Sequence, residues 1–188
     1  ARGLEHYNQF DWAEDAYLRG NAVSAHEFDF ELASIYGQTE RMDLMLQTYL
    51  DILSYDLSQL AYIQNTLQEA FIVDNEFITL ETELIKRTQK EADKIVFNEF
   101  LEWLYIQKKQ FSKALIQSKA IDKRKSMVAF NRNYFAGKQV NELALLCSQN
   151  EDYKTAIKAY EYLSKVHKKA RRTYQYTQVQ PLLLNAKE

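Results

Sequence analysis

Apolar residues recur along this chain in one repeated frame. In NEDYKTAIKAYEYL (150–163), Tyr153, Ala156 and Tyr160 stand at offsets of three and four, on one helical face, with Lys154, Lys158 and Glu161 mostly elsewhere. The same frame appears as Phe10, Ala13 and Tyr17, as Met42, Met45 and Tyr49, as Phe77, Leu80 and Leu84, and more weakly as Phe111, Ala114 and Ser118. The anchors Phe10, Met42, Phe77, Phe111 and Tyr153 are separated by 32, 35, 34 and 42 residues. A second pattern precedes each anchor. Six residues before stand Leu4, Tyr36, Phe71, Tyr105 and Cys147, and ten before stand Leu32, Leu67, Leu101 and Leu143, again on one helical face. These two patterns predict helices over 27–37, 41–54, 59–72, 76–90, 93–107, 111–121, 138–149 and 152–167, joined as antiparallel pairs. The longer last step leaves 124–138 as either a helical extension or a protruding loop.

Two helical patterns per unit at a period near 34 residues mark an α-solenoid, so the expected class is all-α. Ala33 and Ala144 put a small residue beside the Leu of the first helix, where the two helices of a hairpin approach closely; Gln68 and Glu102 occupy the same column. With these residues in place, the chain resembles the tetratricopeptide repeat family, whose units carry Leu, a small residue and an aromatic in the first helix and Ala-x-x-x-aromatic in the second. The copy at 140–163 is nearest to that pattern. Proline is missing from the repeat ends, and Leu80 replaces the expected Ala, which would shift a helix crossing.

The resemblance implies a right-handed superhelix with repeats at about 1–25, 26–58, 59–92, 93–136 and 137–170, and 171–188 as the first helix of a further repeat or a cap. A terminal repeat exposes an apolar face unless capped. Ala1 falls midway along a first helix and Leu182–Leu184 lack cover, so the expectation is one segment, 1–188, of a longer chain. Pro181 should kink or break the last helix. The degenerate repeats also resemble those of bacterial multi-repeat proteins, some of them in the cell envelope; that implies the periplasmic side, with the cytoplasm left open.

Composition agrees with helices. Only four Gly and one Pro occur in 188 residues, too few for a chain of tight turns or phosphate-cradling loops. The single cysteine, Cys147, cannot form an internal disulfide and reads as a small buried hydrophobe. No apolar run reaches the roughly 18 residues of a membrane span. His6, His26 and His167 are scattered without metal-ligand spacing, and GxGxxG, GxxxxGK[ST] and GxSxG are all missing. His26 opens HEFDFE, which reads as an exposed helix start. Neither catalysis nor a cofactor or metal is expected.

The net charge of −2 hides an asymmetry: residues 1–85 balance to −13 and residues 86–188 to +11. Opposite halves of this kind can steer docking between parts of an assembly.

The resemblance implies a protein-interaction scaffold, an adaptor within a larger assembly that holds a peptide or partner helix against the first helices. Carried over by position, that wall comprises Phe30 and Ser34; Tyr62, Asn65, Glu69 and Ile72; Val96, Glu99, Trp103 and Ile106; and Lys138, Asn141 and Leu145. Trp103 is the expected hot spot, since binding energy concentrates in Trp, Tyr and Arg. The basic clamp of chaperone-binding relatives is not matched, because its positions read Phe30, Asn65, Glu99 and Asn141. The alternative is RNA or another polyanion bound by Lys165, Lys168, Lys169, Arg171 and Arg172, with DKRK (122–125) nearby.

Overall fold

The computed structural model describes residues 2, 9–70, 74–128 and 137–170. Among them every regular element is helical. Where the sequence reads as one run of repeats, the contacts divide the chain into two compact units, Ala1–Val96 and Phe97–Glu188.

The first unit holds α1 (Phe10–Val23), α2 (Asp29–Gln38), α3 (Met42–Tyr55), a 3₁₀ turn (Leu57–Gln59), α4 (Leu60–Ala70) and α5 (Asp74–Lys90). Helix α3 buries Met45, Leu46, Tyr49, Leu50, Ile52 and Leu53, two adjacent rows at helical spacing, and α2 answers with Leu32, Ala33, Ile35 and Tyr36. Ala33 has no exposed surface, as a close helix approach requires. Between α1 and α2 the Phe28 ring lies on the backbone of Gly20, where an added Cβ would sit 2.4 Å from it. Polar clips complete the unit. Arg41 grips Glu14 of α1 with two bonds of 3.2 and 2.6 Å and covers the Tyr36 ring at 4.8 Å. Arg87 of α5 pairs with Asp51 of α3 and with Glu91 at 2.9 Å. Burial alone would raise the Glu91 carboxyl, yet Lys94, Arg87 and Ser54 together pull it down to about 2.

The second unit contains the bulk of α6 (Val96–Gln107), with α7 (Phe111–Val128), α8 (Lys138–Gln149) and α9 (Tyr153–Ala170). Helix α7 continues well past the predicted end at 121, so 124–128 is a helical extension, while 129–136 lies outside the described residues. Phe97, Phe100, Leu104 and Leu101 fill its centre, with Val140, Leu143, Ala144 and Cys147 from α8.

Three of the hairpins close with one turn. Glu40, Lys109 and Glu151 are its middle residues, all left-handed with φ of 59, 53 and 62°. In each, the next amide reaches back over the helix end: Arg41 to the Tyr36 carbonyl (2.8 Å), Gln110 to Tyr105 (2.8 Å) and Asp152 to Cys147 (2.9 Å). A left-handed residue followed by such a bond ends a helix and satisfies its orphan carbonyls. The acceptors Tyr36, Tyr105 and Cys147 are the residues six before the anchors Met42, Phe111 and Tyr153, each of which begins the second helix.

The residues three and seven after each anchor are buried in all five copies: Ala13 and Tyr17, Met45 and Tyr49, Leu80 and Leu84, Ala114 and Ser118, Ala156 and Tyr160. The anchors vary more. Tyr153, expected to pack, starts α9 and is 51% exposed, whereas Phe111 at the start of α7 is buried. Phe77 is half-buried and sits a turn inside its helix, which begins at Asp74.

A left-handed conformation costs a residue with a Cβ roughly 1–2 kcal/mol, and glycine avoids it. Lys109→Gly is therefore expected to stabilise the second unit by about 0.5–1 kcal/mol after its greater unfolded-state entropy is deducted. Lys109→Val should destabilise it. Urea unfolding followed by circular dichroism measures both.

Candidate functional site

In the first unit, α2 carries Phe30 and Ser34, and α4 carries Tyr62, Asn65 and Glu69. Phe30 is half-buried because its ring lies between two tyrosines: 6.4 Å from Tyr49 of α3, and 5.4 Å from Tyr62, edge-on at 80°. Tyr62 itself is 56% exposed. Burial pushes the Tyr49 hydroxyl up to about 12, with Tyr62 as a lesser cause. Ser34, Asn65 and Glu69 are exposed, and Ser34 accepts a bond from Gln38 at 3.0 Å. Phe30 and Tyr62 are thus brought together, with polar residues around them. Ile72 lies outside the described residues.

In the second unit, Trp103 is half-buried and its ring lies 5.6 Å from Phe100. Glu99 pairs with Lys125 of α7 at 2.6 Å, and Lys138 lies 3.8 Å from Glu142. Ile106 and Asn141 are half-buried, and Leu145 is 43% exposed. Val96, expected on the outer wall, is only 4% exposed: it starts the row that continues through Phe100 and Leu104, all buried. Of the basic cluster, Lys165 is exposed. The side chains of Lys168 and Lys169, and all of Arg171 and Arg172, lie outside what the structure describes.

Sequence reasoning missed a polar seam inside the second unit. Glu102 stands in the small-residue column of α6, and it is buried rather than solvated. Its carboxylate accepts from the Ser118 hydroxyl of α7 and from the Gln139 amide of α8. Asp122, 2% exposed, accepts from the Gly137 amide (2.6 Å) and the Tyr162 hydroxyl of α9 (2.8 Å). Asn98 donates to Gln117 (2.8 Å) and accepts from Arg124 (2.6 Å). The available signal was the pairing of the two irregular columns, Glu102 with Ser118. Each carboxylate is met by donors from other elements, as a buried charge must be.

A cleft of about 500 Å³ in the first unit is lined by Leu32, Tyr36 and Asp29 among others. Asp29 accepts from Asn21 (2.6 Å) and from the Tyr55 hydroxyl (2.9 Å), and lies 2.9 Å from His26 Nδ1. His26 has φ of 68° and stacks on Tyr55 at 4.1 Å. The network holds a left-handed residue in the α1–α2 connection. The Cys147 thiol is pushed up to about 11, chiefly by burial. Among the described residues no His, Cys, Asp and Glu group could hold a metal, and no helix is long and apolar enough to cross a membrane.

Compared with protein-family models, with curated proteins and with solved structures, the chain shows no significant match.

The seam gives the second unit a defined pH response. Burial raises the Glu102 carboxyl to about 6, against opposing bonds from Ser118 and Gln139. A folded-state pKa above the unfolded one means that stability is fully present below the ordinary carboxylate range and falls as pH climbs through 6. Glu102→Gln removes the charge; its oxygen keeps one of the two bonds, and its NH2 group makes the other once the Gln139 amide turns its own oxygen toward it. It is expected to flatten that fall and to add about 2 kcal/mol at pH 7.5. Chemical denaturation from pH 4 to pH 8, compared with the unaltered chain, reads the difference.

Proposed function

We propose that this chain is a non-catalytic adaptor built of tetratricopeptide-like repeats stacked as an α-solenoid, which holds a peptide or partner helix against its first helices. The observation that carries the reading is the Phe30–Tyr62 pair. Two aromatic rings stand on the first helices of successive hairpins, where the repeat register assigns the binding wall. One is half-buried and the other is 56% exposed, with Ser34, Asn65 and Glu69 beside them. An aromatic anchor ringed by polar groups is the composition of an interface hot spot. The common turn of three hairpins and the burial at the same two positions of all five copies support the repeat architecture. Trp103, packed on Phe100 and partly exposed, is the corresponding aromatic of the second unit.

Affinity capture followed by mass spectrometry tests this. The intact chain is expected to retain a discrete protein partner in both low and high salt. Tyr62→Ala should weaken that capture about 30-fold, the loss of roughly 2 kcal/mol that marks a hot spot. Its melting temperature should stay within a few degrees, because the side chain is largely exposed. Trp103→Ala should weaken binding and also cost some stability. Capture insensitive to both substitutions and abolished by moderate salt would favour a polyanion ligand and defeat the reading.

A further inference from the structure

Helices α7 and α9 share a face that the adaptor reading leaves without a role. Lys119 and Lys123 stand on α7, and Lys158 and Lys165 on α9. The Lys119 ammonium lies 5.4 Å from the centre of the Tyr162 ring. Burial lowers its pKa, and repulsion from Lys158, Lys165 and Lys123 lowers it further, with Glu161 opposing. Lys119 thus stands near the other three, with Lys123 one turn further along its own helix and Lys158 and Lys165 on the helix that carries Tyr162. Among the described residues none of the four has a carboxylate within ion-pair distance, although Lys86, Lys94, Lys125 and Lys138 each have one. Ile116, three residues before Lys119, adds an apolar side chain that is 66% exposed. Like charges gathered without an ion-pair partner cost stability, and an acidic partner relieves that cost.

The chain carries a matching surface. Residues 1–96 contain 18 acidic and seven basic residues, a balance of −11, whereas 97–188 balance to +9. Where α1 and α3 begin, Asp11, Glu40 and Asp43 are exposed around the Arg41–Glu14 pair, and none of the three is in ion-pair contact with a cation among the described residues. A nucleic acid fits the lysine face less well. Arginine, the bidentate phosphate reader, is represented in α7–α9 by Arg124 alone, which is bound to Asn98. Tyr162, an aromatic at the patch, has its hydroxyl bonded to Asp122 and the Lys119 ammonium over its ring.

We propose that the lysine face of α7 and α9 docks the acidic first unit of a second copy of this chain, head to tail, around Asp11, Glu40 and Asp43. Such a contact joins two different surfaces. It therefore adds copies progressively rather than stopping at a two-fold dimer, unless a ring closes.

Sedimentation velocity over a concentration series tests this in about 20 mM and about 300 mM salt, where screening lengths differ several-fold. The unaltered chain should gain mass with concentration in low salt and run as a monomer in high salt. Lys123→Glu, Lys158→Glu and Lys165→Glu together, all at exposed positions, should abolish the association, as should Asp11→Lys, Glu40→Lys and Asp43→Lys together. Combining both sets restores complementarity with its sign reversed and should restore association, with circular dichroism verifying the fold of each variant. An unaltered chain that stays monomeric at low salt overturns the proposal, as does association that survives either triple change or fails to return in the combined variant. Binding of a twelve-nucleotide oligouridine or of phosphatidylserine vesicles, lost in the lysine triple variant of a chain that is itself monomeric, would assign the face to phosphates instead and also overturn it. The groove reading is untouched by either result, since it rests on α2, α4 and α6.

Discussion

One hydrogen bond sets the geometry of the hairpins: an amide just past the turn reaching back to the carbonyl six positions before the second helix begins. In Arg41 to Tyr36, Gln110 to Tyr105 and Asp152 to Cys147 the same span of chain is closed in the same way. The bond fixes where the first helix stops and where the second starts. That start places the third and seventh positions after the anchor toward the partner helix, and in every copy they are buried. Core and register follow from this phase. Leu32 and Leu67 are buried on the same helices that carry Phe30 and Tyr62.

The hairpins were legible in sequence because apolar spacing and turn length are local properties. Eight predicted helices match observed ones within a few residues at most ends, and the columns at Leu32, Leu67, Leu101 and Leu143 are buried throughout. What escaped was decided at longer range. A glutamate in a first helix reads as solvated, and Glu102 is buried only because donors arrive from residues 118 and 139. Val96 reads as wall by register, but α6 buries a wider stripe than one row. The left-handed turn residues Glu40, Lys109 and Glu151 carry no glycine signature, so the turn chemistry was invisible while its position was not.

The two units also show how environment rather than residue type sets a carboxylate. Glu91 and Glu102 both suffer from burial. Glu91 meets two cations and a hydroxyl and is driven down to about 2, whereas Glu102 meets only neutral donors and rises to about 6. The first favours folding once ionised and the second opposes it, so a shift in pH presses on the units in contrary senses. At Glu102, in the column that holds Ala33 and Ala144 in other helices, the second unit has a hydrogen-bonded junction of α6, α7 and α8.

The turn at Lys108–Gln110 has a bearing on how the chain meets proteases. Two adjacent lysines there invite trypsin, and Lys109 is exposed. A protease needs several residues of extended backbone across its active site, but this segment is coiled, with the Lys108, Lys109 and Gln110 amides bonded back to Leu104, Ile106 and Tyr105. Cutting requires those three bonds to open and Phe111 to leave its buried site at the start of α7. Cleavage at this pair therefore reports the hairpin coming apart, not the lysines being on the surface.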